Sequence, residues 1–558
     1  MGPAVPRLRE AGDSALLLEL DGGIDPRVNA RAIAAAETVR RGALAGVRDV
    51  VATYRSVAVY FDPLVADVAA VRDLLRRSAD TAGGPAVTAR TIEVPVIYGG
   101  EFGPDLTEVA AFAGLRPQQV IDRHAQVLYR VYMLGFLPGF AYMGSVPSEM
   151  AIPRRSTPRV RVEGGSVGIA GTQTAVYPRA SPGGWQIIGR TRMRVFDPAA
   201  DPPALFAPGD RVRFVPAPPR SEASRSAVGP ARTGVAASGL VSSPAAAGAV
   251  RTMTVLRPGL FTTVQDSGRW GHQSSGVPVS GALDLVSHRL ANAIVGNDAG
   301  AATLEATLSG PELRFDDGAT LAVTGADLGP TCDGASVLLE RPIRVRPGAI
   351  LRFGERRAGA RAYVAVDGGL AIPPVLGSRA THAGTETGGV AGRPVSPGDR
   401  LPLGQKGLRP VPRRPVRIDS PVRPGGARVR VLPGPQDDYF APEAFAALEG
   451  SRFRIAPQSN RMGYRLVGAR VPRLAGHEMI SDATFVGAIQ IPSSGEPILL
   501  MADRQTTGGY PQIATVITAD LPLAAQLAPG DWIEFQVCSH ADALAALVAQ
   551  EGKLLAIG

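Results

Sequence analysis

Lysine is almost absent: only Lys406 and Lys553 stand among 59 basic residues. No G-x-x-x-x-G-K-[ST] sequence occurs, so any nucleotide chemistry here lacks a phosphate-binding P-loop. Neither lysine lies in a Met-Lys-Met setting, so no biotin attachment site is encoded. Cysteine is equally scarce. Cys332 and Cys538 exclude a disulfide framework and a cysteine-built zinc centre, and they read as buried thiols in a reducing cytoplasm. The six histidines, His124, His272, His288, His382, His477 and His540, form no H-E-x-x-H or H-x-H pair. No metal site is expected, short of one assembled from distant segments. No apolar run approaches the ~18 residues of a membrane helix. The opening MGPAVPRLREAGDS has no apolar stretch of the kind a secretory signal carries. The expected setting is cytoplasmic, with no membrane partner.

What is abundant is glycine and proline, 66 and 49 of 558 residues. With turn dipeptides spread along the chain, they favour β-rich domains over helical bundles. The length suggests three or four domains. The net charge of +9 invites a nucleic-acid reading. The arginines, however, are scattered beside acids rather than gathered into a stripe with interleaved aromatics, so no nucleic-acid partner is expected.

Residues 1–90 read as a small α/β unit. LLLEL (16–20) is strand-like, and Asp25-Pro26 opens a helix with Asp as N-cap. One or two strands follow over 50–62, then a second helix over 65–79. TAGGPA (81–86) is a loop. Residues 91–216 begin and end in β structure, with one helical stretch in two parts, 106–114 and then 117–127. Residues 217–250, rich in Pro, Ala, Ser and Gly, cannot bury enough apolar area to offset chain entropy. They read as a flexible linker; about 35 residues span roughly 30 Å and tether the halves without fixing their orientation. Residues 251–558 lack long helices, 282–296 being the best candidate. They divide into two β-rich lobes, about 251–425 and 426–540, at a junction over 414–434. APGDRVRF (207–214), RPGAILRF (346–353), SPGDRLPL (396–403) and APGDWIEF (528–535) repeat one turn-plus-strand pattern. SVGIAGTQTAVYP (166–178) echoes FVGAIQIP with RQTTGGYP (485–492, 504–511). Related β-barrel lobes in the two halves are expected.

Several segments carry chemistry, each with a plainer alternative. YRVYMLGFLPGFAYMGSVP (129–147) is either the apolar wall of a small-molecule cleft or core packing around a bend. GGSVG (164–168) matches a nucleophile elbow, but Ser166 is followed by a second strand and not by the helix that elbow needs. Thr172, Gln173 and Tyr177 place amide and hydroxyl groups where they can recognise an amide, or form an ordinary polar strand face. Gln265, Asp266 and Arg269 lie in a Gly- and Ser-rich stretch whose backbone N–H groups can hold an anion or cofactor phosphate, or simply connect strands. SNRMGYRL (459–466) and ADRQTTGGYP (502–511) are the strongest candidates: Asp503 as acid or base, Arg461 and Arg504 as anion clamps. The alternative is a hairpin with a structural Arg–Asp pair.

These segments resemble a known pair of families. Residues 91–216, through YRVYMLGFLPGFAYMG, TPRVRVEGGSVGIAGTQTAVYP and SPGGWQIIGRT, are similar to the KipI family, also called PxpB or allophanate hydrolase subunit 1. Residues 253–540, through GLFTTVQDSGRWGHQSSGVPVSGALD, RLANAIVGN, SNRMGYRL and ADRQTTGGYPQIATV, are similar to the KipA family, also called PxpC or allophanate hydrolase subunit 2. Members usually occur as separate chains, so this one resembles a natural fusion. The resemblance implies a mainly β protein with α+β parts: cyclophilin-like β-barrel domains in both halves and a small α/β N-terminal domain. It implies a component of 5-oxoprolinase that, with a PxpA (LamB/YcsF-like) subunit, opens 5-oxo-L-proline to L-glutamate using ATP and Mg²⁺.

Fitted to that reaction, Thr172, Gln173 and Tyr177 belong to a cleft of the first half. Asn460, Arg461, Gln490, Asp503, Arg504, Gln505 and Thr506 line one in the second, with Gln490 grouped with the catalytic residues. Alanine at Asp503 or Arg461 is then expected to abolish activity and leave the fold intact. Two other functions compete: a biotin-dependent carboxyltransferase or allophanate-type amidohydrolase, and a regulator of a histidine kinase, which covalent fusion makes harder to control. A homo-oligomer is compatible with the sequence.

Overall fold

The computed structural model describes residues 6–80, 89–218, 251–405, 425–474 and 479–556. The loop expected over 81–86, nearly all of the linker, the start of the 414–434 junction, Lys406 and His477 lie outside the described residues.

The N-terminal unit is a four-stranded antiparallel sheet, in spatial order Arg7–Glu10, Ala15–Glu19, Ser56–Phe61, Val47–Ala52. Helices Pro26–Gly42 and Val68–Asp80 cover one face. The first begins as expected: the Asp25 carboxylate accepts from Arg27 N at 2.6 Å and Val28 N at 3.2 Å, meeting donors that a helix start leaves open.

Two closed seven-stranded barrels follow. The first comprises Thr91–Tyr98, Leu128–Leu134, Ala141–Gly144, Ser166–Ala170, Gln173–Val176, Gln186–Arg190 and Arg211–Pro216. The second comprises Gly426–Pro433, Phe453–Ile455, Gly463–Val467, Ala488–Gln490, Ile498–Leu500, Gln512–Val516 and Trp532–Val537. Counted along the chain, the order round the ring is 1-6-4-5-3-2-7 in both. The first and last strands pair in parallel in both. Each barrel also carries a two-stranded ribbon built from its 3–4 and 5–6 connections, Arg159–Val162 with Ser181–Gly183 and Asp482–Ala483 with Thr507–Gly508. The expected related barrels are therefore present and agree with the cyclophilin-like class. Between them, residues 251–405 fold as a six-stranded and a five-stranded sheet packed over a common core.

The turn-plus-strand repeat has a physical basis. Asp210 and Asp531 each reach back to an N–H three residues earlier, Ala207 and Ala528, both at 2.9 Å, and so start the seventh strand of their barrels. Asp399 does the same to Ser396 N at 2.7 Å. The second echo holds only in its first part. Ser166–Ala170 and Ala488–Gln490 are equivalent fourth strands, but RQTTGGYP corresponds to the 177–185 connection and not to the strand Gln173–Val176.

The helical stretch is two helices, Leu106–Ala113 and Pro117–Gln126, as expected, parted where Gly114 takes φ +65°. Three expectations are corrected. The second half does contain a long helix, His540–Leu555, opened by a capping box of Ser539 and Asp542. Both cysteines are partly exposed, since each lies at a sheet margin.

The third correction concerns orientation, which the interface sets independently of the linker. The outer face of the N-terminal sheet (Ala15, Leu17, Val51, Ala58, Tyr60) forms one buried cluster with Ala483, Phe485, Ala488 and Leu500 of the second barrel. Asp49, buried, accepts from Gly271 N at 2.9 Å and from Gln273 N and Nε2 at 3.2 and 3.3 Å. Asp482 accepts from Thr53 Oγ1 at 3.1 Å and from Ser56 Oγ. Expressed as two chains, 1–218 and 251–558, the halves are expected to co-elute as a 1:1 complex; separate elution would show that the linker alone joins them. In that pair Asp49→Ala strands the two buried N–H donors of Gln273, so association should weaken by about 1–3 kcal/mol, roughly ten- to a hundredfold in Kd by titration calorimetry.

Candidate active site

The segment 129–147 is the docking face of the first barrel. Gly139 N donates to Ser275 O at 2.9 Å, across the halves. A Cβ on Gly135 would collide with the Thr507 side chain, and one on Gly276 with Leu137 O. The two halves thus meet backbone to side chain, and only glycine permits it. Behind this turn Tyr54, Tyr132, Phe140, Tyr142, Tyr177 and Trp185 form a buried aromatic cluster. Phe140 sits edge-on to Tyr142, Tyr177 and Trp185, with ring centroids at 5.0–5.5 Å.

Polar groups gather on its edge. Gln173, half-buried, donates from Nε2 to the Tyr54 hydroxyl. Thr172 beside it is exposed. From the second barrel, Thr507 faces Tyr142. Gln505, half-buried, and Gln490, buried, converge at Gly508, where a Cβ would lie 3.3 and 2.9 Å from their amide nitrogens. Gln490 Nε2 also donates to Tyr510 O at 3.3 Å. The Thr506 hydroxyl is buried with no hydrogen-bond partner among the described residues, and that of Thr507 has only the Tyr142 phenol beside it. Such atoms are rare in folded proteins and are concentrated where a ligand or water completes them.

The other candidates hold this arrangement in place. Arg461, buried, donates from Nε and Nη2 to Asp503 at 3.0 Å each, from Nη1 to Glu305, and from Nη2 to Gly281 O at 2.6 Å. Ser280 Oγ donates to Asp503 at 2.7 Å. Tyr363 OH and Leu283 N donate to Glu305 at 2.8 and 2.9 Å. Burial pushes the Asp503 pKa up, but the Arg461 charge, His382 and these hydrogen bonds outweigh it and hold the carboxylate below its usual range. Arg504 donates to Gln273 Oε1 at 2.8 Å and Thr484 O at 3.2 Å, over the Tyr60 ring. Neither arginine offers a free fork to an anion, contrary to the expectation.

Gln265, Asp266 and Arg269 are likewise turned inward, in correction of the expected cofactor role. Asp266 accepts from Gly268 N, Ser378 Oγ and Arg379 N at 2.6–2.9 Å. Arg269 donates to Val375 O and Ala380 O at 2.8 and 2.7 Å. Gln265 donates to Thr263 Oγ1 and Thr381 O at 2.9 and 3.0 Å. Together they pin the 375–381 loop. Asn460 is exposed, and its side chain caps Met462 N at 2.8 Å. His124 and His288 are core residues whose pKa values burial lowers to about 3 and about 4. Among the described residues no three His, Cys, Asp or Glu side chains are grouped to hold a metal.

The seam therefore unites Gln173 and Tyr177 with Gln490, Gln505 and Thr506, and adds Tyr54, Tyr142 and Thr507, which sequence reasoning did not single out. Thr507 lay within a flagged motif. Glu305 carried no signal, because its role depends on a partner 156 residues away.

The arrangement belongs to a known class. Residues 6–206 match the family "Carboxyltransferase domain, subdomain C and D", and residues 275–537 match "Carboxyltransferase domain, subdomain A and B". The chain is 39% identical to the C-type 5-oxoprolinase subunit of Escherichia coli K12, over 54% of its own length and 95% of that protein. It is 41% identical to the B-type 5-oxoprolinase subunit of Bacillus subtilis 168, over 38% of its own length and 92% of that protein. The crystal structure of the protein TTHA0988 is 37% identical, with a TM-score of 0.80 over 94% of this chain and 99% of that one. The chain belongs to the family of B-type and C-type 5-oxoprolinase subunits, with the two joined end to end.

The ion pair generates a prediction. Arg461→Met would strand two buried carboxylates and cost about 3–5 kcal/mol; loss of Arg461 is thus not neutral for folding. The Asp503 pKa is lower folded than unfolded. Its contribution is therefore complete above about pH 4 and is lost as pH falls through the folded value. The variant should show a reduced denaturation midpoint at pH 7, with the wild-type advantage shrinking in acid.

Proposed function

We propose that this chain is the fused B-type and C-type component of an ATP-dependent 5-oxoprolinase, opening 5-oxo-L-proline to L-glutamate with a PxpA (LamB/YcsF-like) subunit. The observation that carries this reading is the seam itself. Amide side chains of both subunit-like halves and a buried unpaired hydroxyl of the second lie along it, beside an aromatic wall. A lactam is flat, apolar on its faces, and carries one N–H and one C=O. Gln173 and Gln505 can pair with that amide edge, and the aromatic wall can cover the ring face.

A lactam carbon resists water at neutral pH. Transfer of the ATP γ-phosphoryl to the lactam oxygen makes the carbon electrophilic. Water then adds to it, the nitrogen takes a proton as the C–N bond breaks to leave an acyl phosphate, and a second water releases phosphate and the new carboxylate. The pocket's part is to hold the ring and exclude bulk water. Mg²⁺ would travel with the nucleotide phosphates, as it commonly does. The arginines expected to grip phosphate are committed to internal acceptors, which favours phosphate contacts from the PxpA-like protein. The carboxyltransferase name of the matching family supports a second reading, carboxyl transfer from a biotinylated partner.

Mixed with a PxpA-like protein, ATP, Mg²⁺ and 5-oxoproline, the chain is expected to release glutamate and phosphate in equal amounts, unaffected by avidin. Avidin-sensitive carboxyl transfer without glutamate would support the second reading instead. Thr507→Val should lower kcat/KM by about tenfold or more. Its unfolding temperature should change little, since among the described residues the hydroxyl it removes has only the Tyr142 phenol beside it.

A further inference from the structure

The segment PRRSTPR (153–159) passes beside the aromatic wall and carries three arginines. Two are spent: Arg155 and Arg159 both donate to the buried Asp105 carboxylate, at 3.3 and 2.6 Å. Arg155 N also donates to Gly184 O at 2.8 Å, which pins this segment against the loop bearing Trp185. Arg154 is the remainder. It is exposed and has no acidic partner among the described residues. Its charge nevertheless bears on three hydroxyls of the wall. Burial pushes the phenols of Tyr54, Tyr142 and Tyr177 up, Tyr177 to about 12, and the Arg154 guanidinium opposes that rise in all three.

An exposed guanidinium without an acidic partner among the described residues, on a segment held against the Trp185 loop, has a definite chemical complement: a small apolar ring bearing a carboxylate. We infer that Arg154 binds the substrate's carboxylate, while Gln173 and the second barrel's Gln505 address the amide edge of the same ring. This inference rests on the proposed 5-oxoprolinase activity and adds to it a specificity determinant. Arg154 selects a ring carrying an acid over the bare lactam. It is a binding residue and takes no part in bond making.

The test uses the full chain assembled with its PxpA-like partner. Steady-state constants for 5-oxo-L-proline are measured together with inhibition by 2-pyrrolidinone, the same lactam without the carboxylate. A charge-assisted bidentate bond contributes about 1.5–3 kcal/mol, so Arg154→Gln should raise KM about ten- to a hundredfold. The kcat should stay within about twofold and the pyrrolidinone inhibition constant should be unchanged. Arg154→Lys should recover part of the loss. An unaltered KM in Arg154→Gln would overturn the inference, as would equal weakening of pyrrolidinone, which would mean the residue shapes the pocket. If the wild-type assembly turns over no 5-oxoproline, the parent reading fails and this one with it; that result is distinct from wild-type turnover that Arg154→Gln leaves untouched.

Discussion

The structure depends on one buried cation. Arg461 lies between Asp503 and Glu305, joining the second barrel to the sheets of residues 251–405. Each of the three charges is costly to bury alone, and only their mutual contact and the donors Ser280, Leu283 and Tyr363 make the cluster tolerable. The constraint is local in origin and wide in effect. Asp503 begins the loop that runs through Arg504 to Thr507. Arg504 is held in turn by Gln273, which shares Asp49 with the N-terminal sheet. A chain of direct contacts therefore runs from the ion cluster to the interface between the halves.

That chain explains a division of labour between barrels of identical strand order. In each, the ribbon made by the 3–4 and 5–6 connections stands off the ring. In the first barrel this region carries the aromatic wall and the arginine-rich segment. In the second it carries the threonines and glutamines. The seam packs Gly135 of the first barrel against Thr507 of the second, so groups of mixed chemistry are brought together by two copies of one architecture. Relatives that keep the two halves as separate proteins would need to associate to form that seam.

The β-rich class, the paired barrels and the start of the first helix were legible because they rest on local chemistry. Turn residues, alternation and an Asp-Pro cap act over a few positions, and the Pro-Gly-Asp turns seed the seventh strand of both barrels. The candidate site was legible in part. Gln173, Tyr177, Gln505 and Thr506, read as substrate-binding groups, lie along the seam between the halves. Arg461, Arg504, Asp266 and Arg269 were read as ligand groups because arginine and aspartate look the same in sequence whether they face a substrate or each other. What separates the cases is burial and partner choice, set by residues 42 to 231 positions away. Arg154 shows the converse: its neighbours Arg155 and Arg159 look equivalent to it until Asp105 claims them. The terminal helix was not expected although its Ser-x-x-Asp cap was present, because the strand signal just before it is the stronger one.

The central claim is that substrate binds where the halves meet. A crystal structure of the chain, mixed with a PxpA-like protein and grown in 5-oxo-L-proline, tests it most directly. Density for the ring between Tyr142 and Trp185 on one side and Thr507 on the other is the predicted result. A ring bound wholly within one half, out of reach of Thr507, would contradict the account.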